Sequence, residues 1–70
     1  MCEKEIGLAI SLRREKLALN QADLAEMAGV AIRTVYMIEN GKGNPSLNTL
    51  QKVMNVLGLE LTIGIKQIRQ

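Results

Sequence analysis

Residues 20–41 read NQADLAEMAGVAIRTVYMIENG, and this stretch decides the fold. Asn20 is a good N-cap, and Asp23 sits three residues on, where a carboxylate reaches back to the cap. A helix follows from Gln21 to about Ala28, with Leu24, Ala25 and Ala28 apolar at helical spacing. Gly29 ends it at the position that favours positive φ. After Val30 and Ala31 a further helix runs from Ile32 to about Asn40, with Val35 and Ile38 as its inward pair and Gly41 as its stop.

Upstream, Ile6, Ile10, Arg14 and Leu17 recur at helical spacing, so a helix is predicted from about Glu3 to Leu17, with acids near its start. Leu8 and Leu12 form a second apolar pair one turn apart, either as a buried contact or as scattered surface leucine. Downstream, GKGNPS is a loop in which Asn44 or Ser46 caps the next helix. That helix runs to about Leu57, with Leu47, Leu50, Val53, Met54 and Leu57 on one stripe and Gly58 as its terminator. The period then changes. Leu59, Leu61, Ile63 and Ile65 alternate with Glu60, Thr62, Gly64 and Lys66, the pattern of a half-buried β-strand. With no second strand candidate in the chain, its economical partner is its own copy, in an antiparallel ribbon about a two-fold axis.

Composition narrows the classes. Seventy residues allow one domain with a modest core, and Tyr36 is the lone aromatic. Leu, Ile, Val, Met and Ala must fill that core, which suits packed helices. The net charge of +2 neither requires nor excludes a nucleic-acid partner. Cys2 is the single cysteine, so an internal disulfide is impossible and a reduced, cytoplasmic setting is expected. No apolar run approaches the ~20 residues of a membrane span, and the acidic start is unlike a signal peptide. Without histidine, a metal cluster or a phosphate-binding glycine loop, neither a metal nor another cofactor is expected. Asp23 and Glu26 read as a solvated face, so the chain is not expected to be an enzyme.

Two short helices joined by a tight glycine turn form a helix-turn-helix when the first carries a small residue at the crossing and the second keeps a free face. Ala25, Gly29, Val35 and Ile38 meet those demands jointly. From NQADLA, the GV turn, IENGK, and PSLNTL followed by LG, the chain resembles the Cro/C1-type (XRE) helix-turn-helix family over about residues 6–58. The implied fold is mainly α: a compact four- to five-helix, lambda-repressor-like bundle. After Gly58 the pattern departs from the family's fifth helix, and LELTIGIK resembles the HipB-like antitoxin-type regulators, whose C-terminal strands pair across a dimer. Residues 1–58 are thus expected to form the DNA-binding domain, with the motif at 21–40, a dimerisation strand at 59–66 (Leu59, Leu61, Ile63, Ile65) and a tail at 67–70.

The resemblance also implies roles. Ile32, Arg33 and Met37 fall at base-contacting positions of the recognition helix, and Arg reads guanine O6 and N7 bidentately. Gln21, Thr34, Tyr36, Asn40 and Lys42 fall at positions for backbone or mixed contacts, which fix register. Ile32 departs from the usual polar residue and offers a surface for a thymine methyl or for packing. Arg14 and Glu39 match positions that pair across helices, and a charge on an apolar stripe needs such a partner. The implied function is a sequence-specific DNA-binding repressor acting as a homodimer on a palindromic operator, with double-stranded DNA and a second copy as partners and no membrane. The alternatives are an antitoxin that also holds a toxin protein and, third, an interaction module without DNA binding.

Overall fold

The structure, a computed structural model, describes residues 2–66. Four helices occur among them: α1 (Glu3–Lys16), α2 (Gln21–Ala28), α3 (Ile32–Glu39) and α4 (Leu47–Leu57). Each end has a local cause. In α1, Glu3 and Glu5 occupy the first turn and Arg13, Arg14 and Lys16 the last, opposing the helix dipole. The chain leaves α1 through Ala18, held at φ 58°. Leu17, expected on the buried stripe, is 41% exposed because the backbone turns away there.

At the start of α2 the Asp23 N–H donates to Asn20 Oδ1 at 2.7 Å, and the Asn20 N–H donates to Asp23 Oδ2 at 3.1 Å. This reciprocal box satisfies two otherwise orphaned donors. Gly29 closes α2 at φ 71°, letting the Val30 N–H return to the Ala25 carbonyl at 3.0 Å. Ser46, rather than Asn44, caps α4: its Oγ accepts the Thr49 N–H at 3.1 Å.

Helix α3 packs on α1 and α2, and α4 packs on α2 and α1. Their shared core is Ile10, Leu24, Ala25, Ala28, Val35, Ile38, Val53, Met54 and Leu57. Burial increases along α4, from exposed Leu47 through half-buried Leu50 to Val53. Leu47, expected on the apolar stripe, is instead 64% exposed at the first position of α4. Leu8 and Leu12 are 58% and 56% exposed, so neither has a buried contact among the described residues.

Two features of the packing depend on tertiary geometry. Gly7 is buried where α1 crosses the end of α3; a Cβ there would collide with the Ile38 carbonyl oxygen and lie 2.7 Å from that of Glu39. Arg13 Nε donates to the Leu57 carbonyl at 2.8 Å, supplying a cation and a donor to the C-terminus of α4.

The strand expected over 59–66 is not formed; these residues adopt neither helix nor strand. A strand exists through hydrogen bonds to a second edge, and the described residues offer none. Leu59 is half-buried against the core, Leu61 is 41% exposed, and Ile63 and Ile65 are almost wholly exposed. The tail 67–70 lies outside the described residues. No helix among the described residues is long and apolar enough to cross a membrane.

Candidate nucleic-acid interface

The α2–α3 pair is held by one polar cluster. Arg14 of α1 meets Glu39 of α3 in a two-pronged contact, Nε to Oε2 at 2.7 Å and Nη2 to Oε1 at 3.0 Å. Arg14 Nη1 also donates to the Leu19 carbonyl at 2.8 Å, just before α2. Gln21, the first residue of α2, donates its side-chain amide to Glu39 Oε1 at 3.0 Å. The cluster therefore joins α1, the α1–α2 turn, α2 and α3 around one carboxylate. The side chains of Arg14 and Glu39 are only 12% and 6% exposed, where charge-assisted hydrogen bonds are least weakened by water. The hydrogen bond to Glu39 raises the already high pKa of Arg14, against the opposing effect of burial; the nearby charges of Glu39 and Glu15 add to the rise.

With its inner face committed to Val35, Ile38 and Glu39, α3 turns its other side to solvent. Arg33 is exposed, with Ile32 46% and Tyr36 51% exposed beside it. Asn40 and Lys42 follow, also exposed, while Thr34 is half-buried. The Asn40 amide donates to the Tyr36 carbonyl at 2.8 Å, so part of its donor capacity serves the end of α3. Half-buried Gln21 likewise commits its side-chain amide to Glu39. No side chain caps the start of α3, where Ala31 occupies the N-cap, so the first N–H groups of this helix remain available to an anion.

A cleft of about 300 Å³ lies between α3 and the following loop, lined by Arg33, Thr34, Met37, Gly43, Asn44 and Pro45 among others. Met37 is half-buried here, because the Gly43 backbone, at φ 76°, comes close to its side chain. Apolar Met37 thus sits beneath the loop rather than projecting from α3 like Arg33. Gly43 and Asn44 join Arg33 at this cleft. Sequence spacing points Asn44 only to capping; the sequence signal for the loop folding back over α3 is Gly43 itself, a residue type that tolerates the positive φ found here. Among the described residues, no group of three or more His, Cys, Asp and Glu could hold a metal ion.

The helix-turn-helix family model matches residues 10–63. The HTH-type transcriptional regulator PuuR of Escherichia coli (strain K12) is 36% identical over 56 residues, which cover 80% of this chain and 30% of PuuR. The chain thus spans less than a third of that relative's length. A crystal structure of SinR, described as the master regulator for biofilm formation, in complex with DNA superimposes with a TM-score of 0.71 at 39% identity; the match covers 79% of this chain and 89% of that one. A SinR–SinI protein complex gives a TM-score of 0.70 at 40% identity, covering 77% of this chain and 53% of the other.

Proposed function

This chain belongs to the Cro/C1-type helix-turn-helix family, and from that premise we propose that it binds DNA sequence-specifically and regulates transcription as a repressor. One observation carries the reading: α3 is fastened from behind by the Arg14–Glu39–Gln21 cluster while Arg33 stands exposed on its outer face. A rigid helix with one projecting guanidinium suits insertion into a major groove and bidentate recognition of guanine. Lys42, the open start of α3 and the Gln21 end of α2 provide phosphate contacts that set register. Ile32 contributes an apolar contact suited to a thymine methyl. The SinR structure with DNA supports this reading.

The regulator acts as a homodimer on a palindromic operator, with recognition helices about 34 Å apart in successive major grooves. The alternating Leu61, Ile63 and Ile65, the last two almost wholly exposed, support self-association. The test is binding of the purified protein to duplex DNA from upstream of its own gene at several salt concentrations. Affinity should fall steeply as salt rises, because phosphate contacts release counterions; a slope indistinguishable from zero would refute DNA binding.

A second reading, an antitoxin that also holds a toxin protein, is favoured by the exposed Leu8–Leu12 pair on α1. The SinR–SinI complex, a protein partner on a related chain, supports a protein ligand in general. Co-purification with the product of the adjacent gene would support it, and recovery of the homodimer alone would count against it.

A further inference from the structure

Residues 59–66 leave Gly58 beside an apolar groove of about 110 Å³ whose walls include Ile6, Ala9, Met54, Leu59 and Leu61. Leu59 and Leu61 thus fall on one side of an alternating segment, against the body of the chain. Ile63 and Ile65 continue that alternation but are 97% and 98% exposed. Among the described residues, no backbone hydrogen bond joins 60–66 to the rest of the chain. The segment therefore presents both an unpaired backbone edge and an uncovered apolar face.

We propose that this segment pairs antiparallel with its copy in a second subunit, in a register centred on Ile63. The proposal rests on the homodimer reading above and on the strand expected at 59–66, and what it adds is the register of that seam. Centring on Ile63 places that residue opposite itself, Leu61 opposite Ile65 of the partner subunit, and Thr62 opposite Gly64. It also places Glu60 opposite Lys66 of the partner subunit, and symmetry repeats this pair at the other end. Directly opposed side chains of opposite charge stabilise a strand pair, whereas like charges weaken it. Moving the centre to Thr62 or Gly64 separates Glu60 from Lys66. Centring between two residues sets apolar positions against polar ones. Charge and apolar alternation agree only at Ile63. In this register Ile65 of the partner subunit lies beside Leu61, at the rim of the groove, and covers apolar surface that one chain leaves wet.

The test uses the whole chain in two series, with the dimer dissociation constant measured by analytical ultracentrifugation. At low salt Glu60→Lys should weaken association on the order of tenfold. Lys66→Glu should do the same, and the double reversal should return it to within about threefold of the parent. In a Cys2→Ser background, which removes the exposed native thiol, Ile63→Cys should form a disulfide-linked dimer on mild oxidation. Thr62→Cys and Gly64→Cys should not, because each then faces a different position. All these sites are exposed and outside the helices, so circular dichroism should show an unchanged helical fold. A parent dimer insensitive to the charge reversals, or linked preferentially through position 62 or 64, would overturn the register. A parent chain that remains monomeric at high concentration would overturn the homodimer reading itself.

Discussion

Removing Glu39 tests whether the polar cluster holds the two helices of the motif. Glu39→Ala deletes three hydrogen bonds at once, two from Arg14 at 2.7 and 3.0 Å and one from Gln21 at 3.0 Å. The Arg14 side chain, 12% exposed, then keeps only its bond to the Leu19 carbonyl. An uncompensated, nearly buried charge costs about 3–5 kcal/mol. For a domain this small, each kcal/mol lowers Tm by roughly 4–8 °C, so a loss of at least ~12 °C is expected. Thermal and urea unfolding followed by circular dichroism would measure it. Replacing both partners, Arg14→Met with Glu39→Leu, should recover most of the loss, because an apolar pair leaves no stranded charge. A Glu39→Ala protein within about 1 kcal/mol of the parent would refute the brace, since that is the range of an exposed ion pair. The pH dependence has a definite sign. A raised folded-state pKa makes Arg14's contribution complete below the unfolded value and loses it as pH rises through the folded one. Because the folded value is raised further from an already very high one, deprotonation of Arg14 should not release the brace between about pH 7 and 10.

Four further outcomes are expected. Gly7→Ala should destabilise the fold by about 1–3 kcal/mol despite alanine's better helix propensity, because its Cβ meets rigid carbonyls of α3; a higher urea midpoint would show that α1 and α3 do not approach so closely. Ala18→Gly should raise stability by roughly 0.5 kcal/mol or more by relieving the left-handed residue at φ 58°, and a clear loss in denaturant titration would contradict that backbone geometry. Arg33→Ala should cost about 1–3 kcal/mol of operator affinity and relax the preference at one base pair while leaving Tm unchanged; unaltered sequence preference in a binding-site selection would remove Arg33 from the reading face. Ile63→Asp should shift the sedimentation equilibrium towards monomer by placing a charge in the seam, and an undisturbed dimer would locate the interface elsewhere.

Much of the fold was legible because its signals are local. The Asn20–Asp23 box, the Gly29 and Gly58 stops and the buried pair Val35 and Ile38 involve residues one to four apart, within the reach of capping and helical periodicity. Arg14 on an apolar stripe signalled the need for a partner, and the family resemblance supplied Glu39. Gln21's bond to that same carboxylate was not legible, because a helix-opening glutamine is equally suited to solvent or phosphate. The exposure of Arg33 and Tyr36 followed from α3 committing its opposite face to the core.

By itself, then, the sequence determined where the helices begin and end and which face of each is apolar, since both are set by neighbours within a turn. Only the tertiary structure decided how closely those helices approach and where each apolar stripe runs out. Gly7 gains its purpose from the α3 carbonyls beside it, and Arg13 from the end of α4, 44 residues away. Leu47 shares the apolar stripe of α4 yet is left 64% exposed at its first position. Residues 59–66 carry the alternation of a strand, yet they form none in a single chain because a strand's hydrogen bonds belong to a pair of edges.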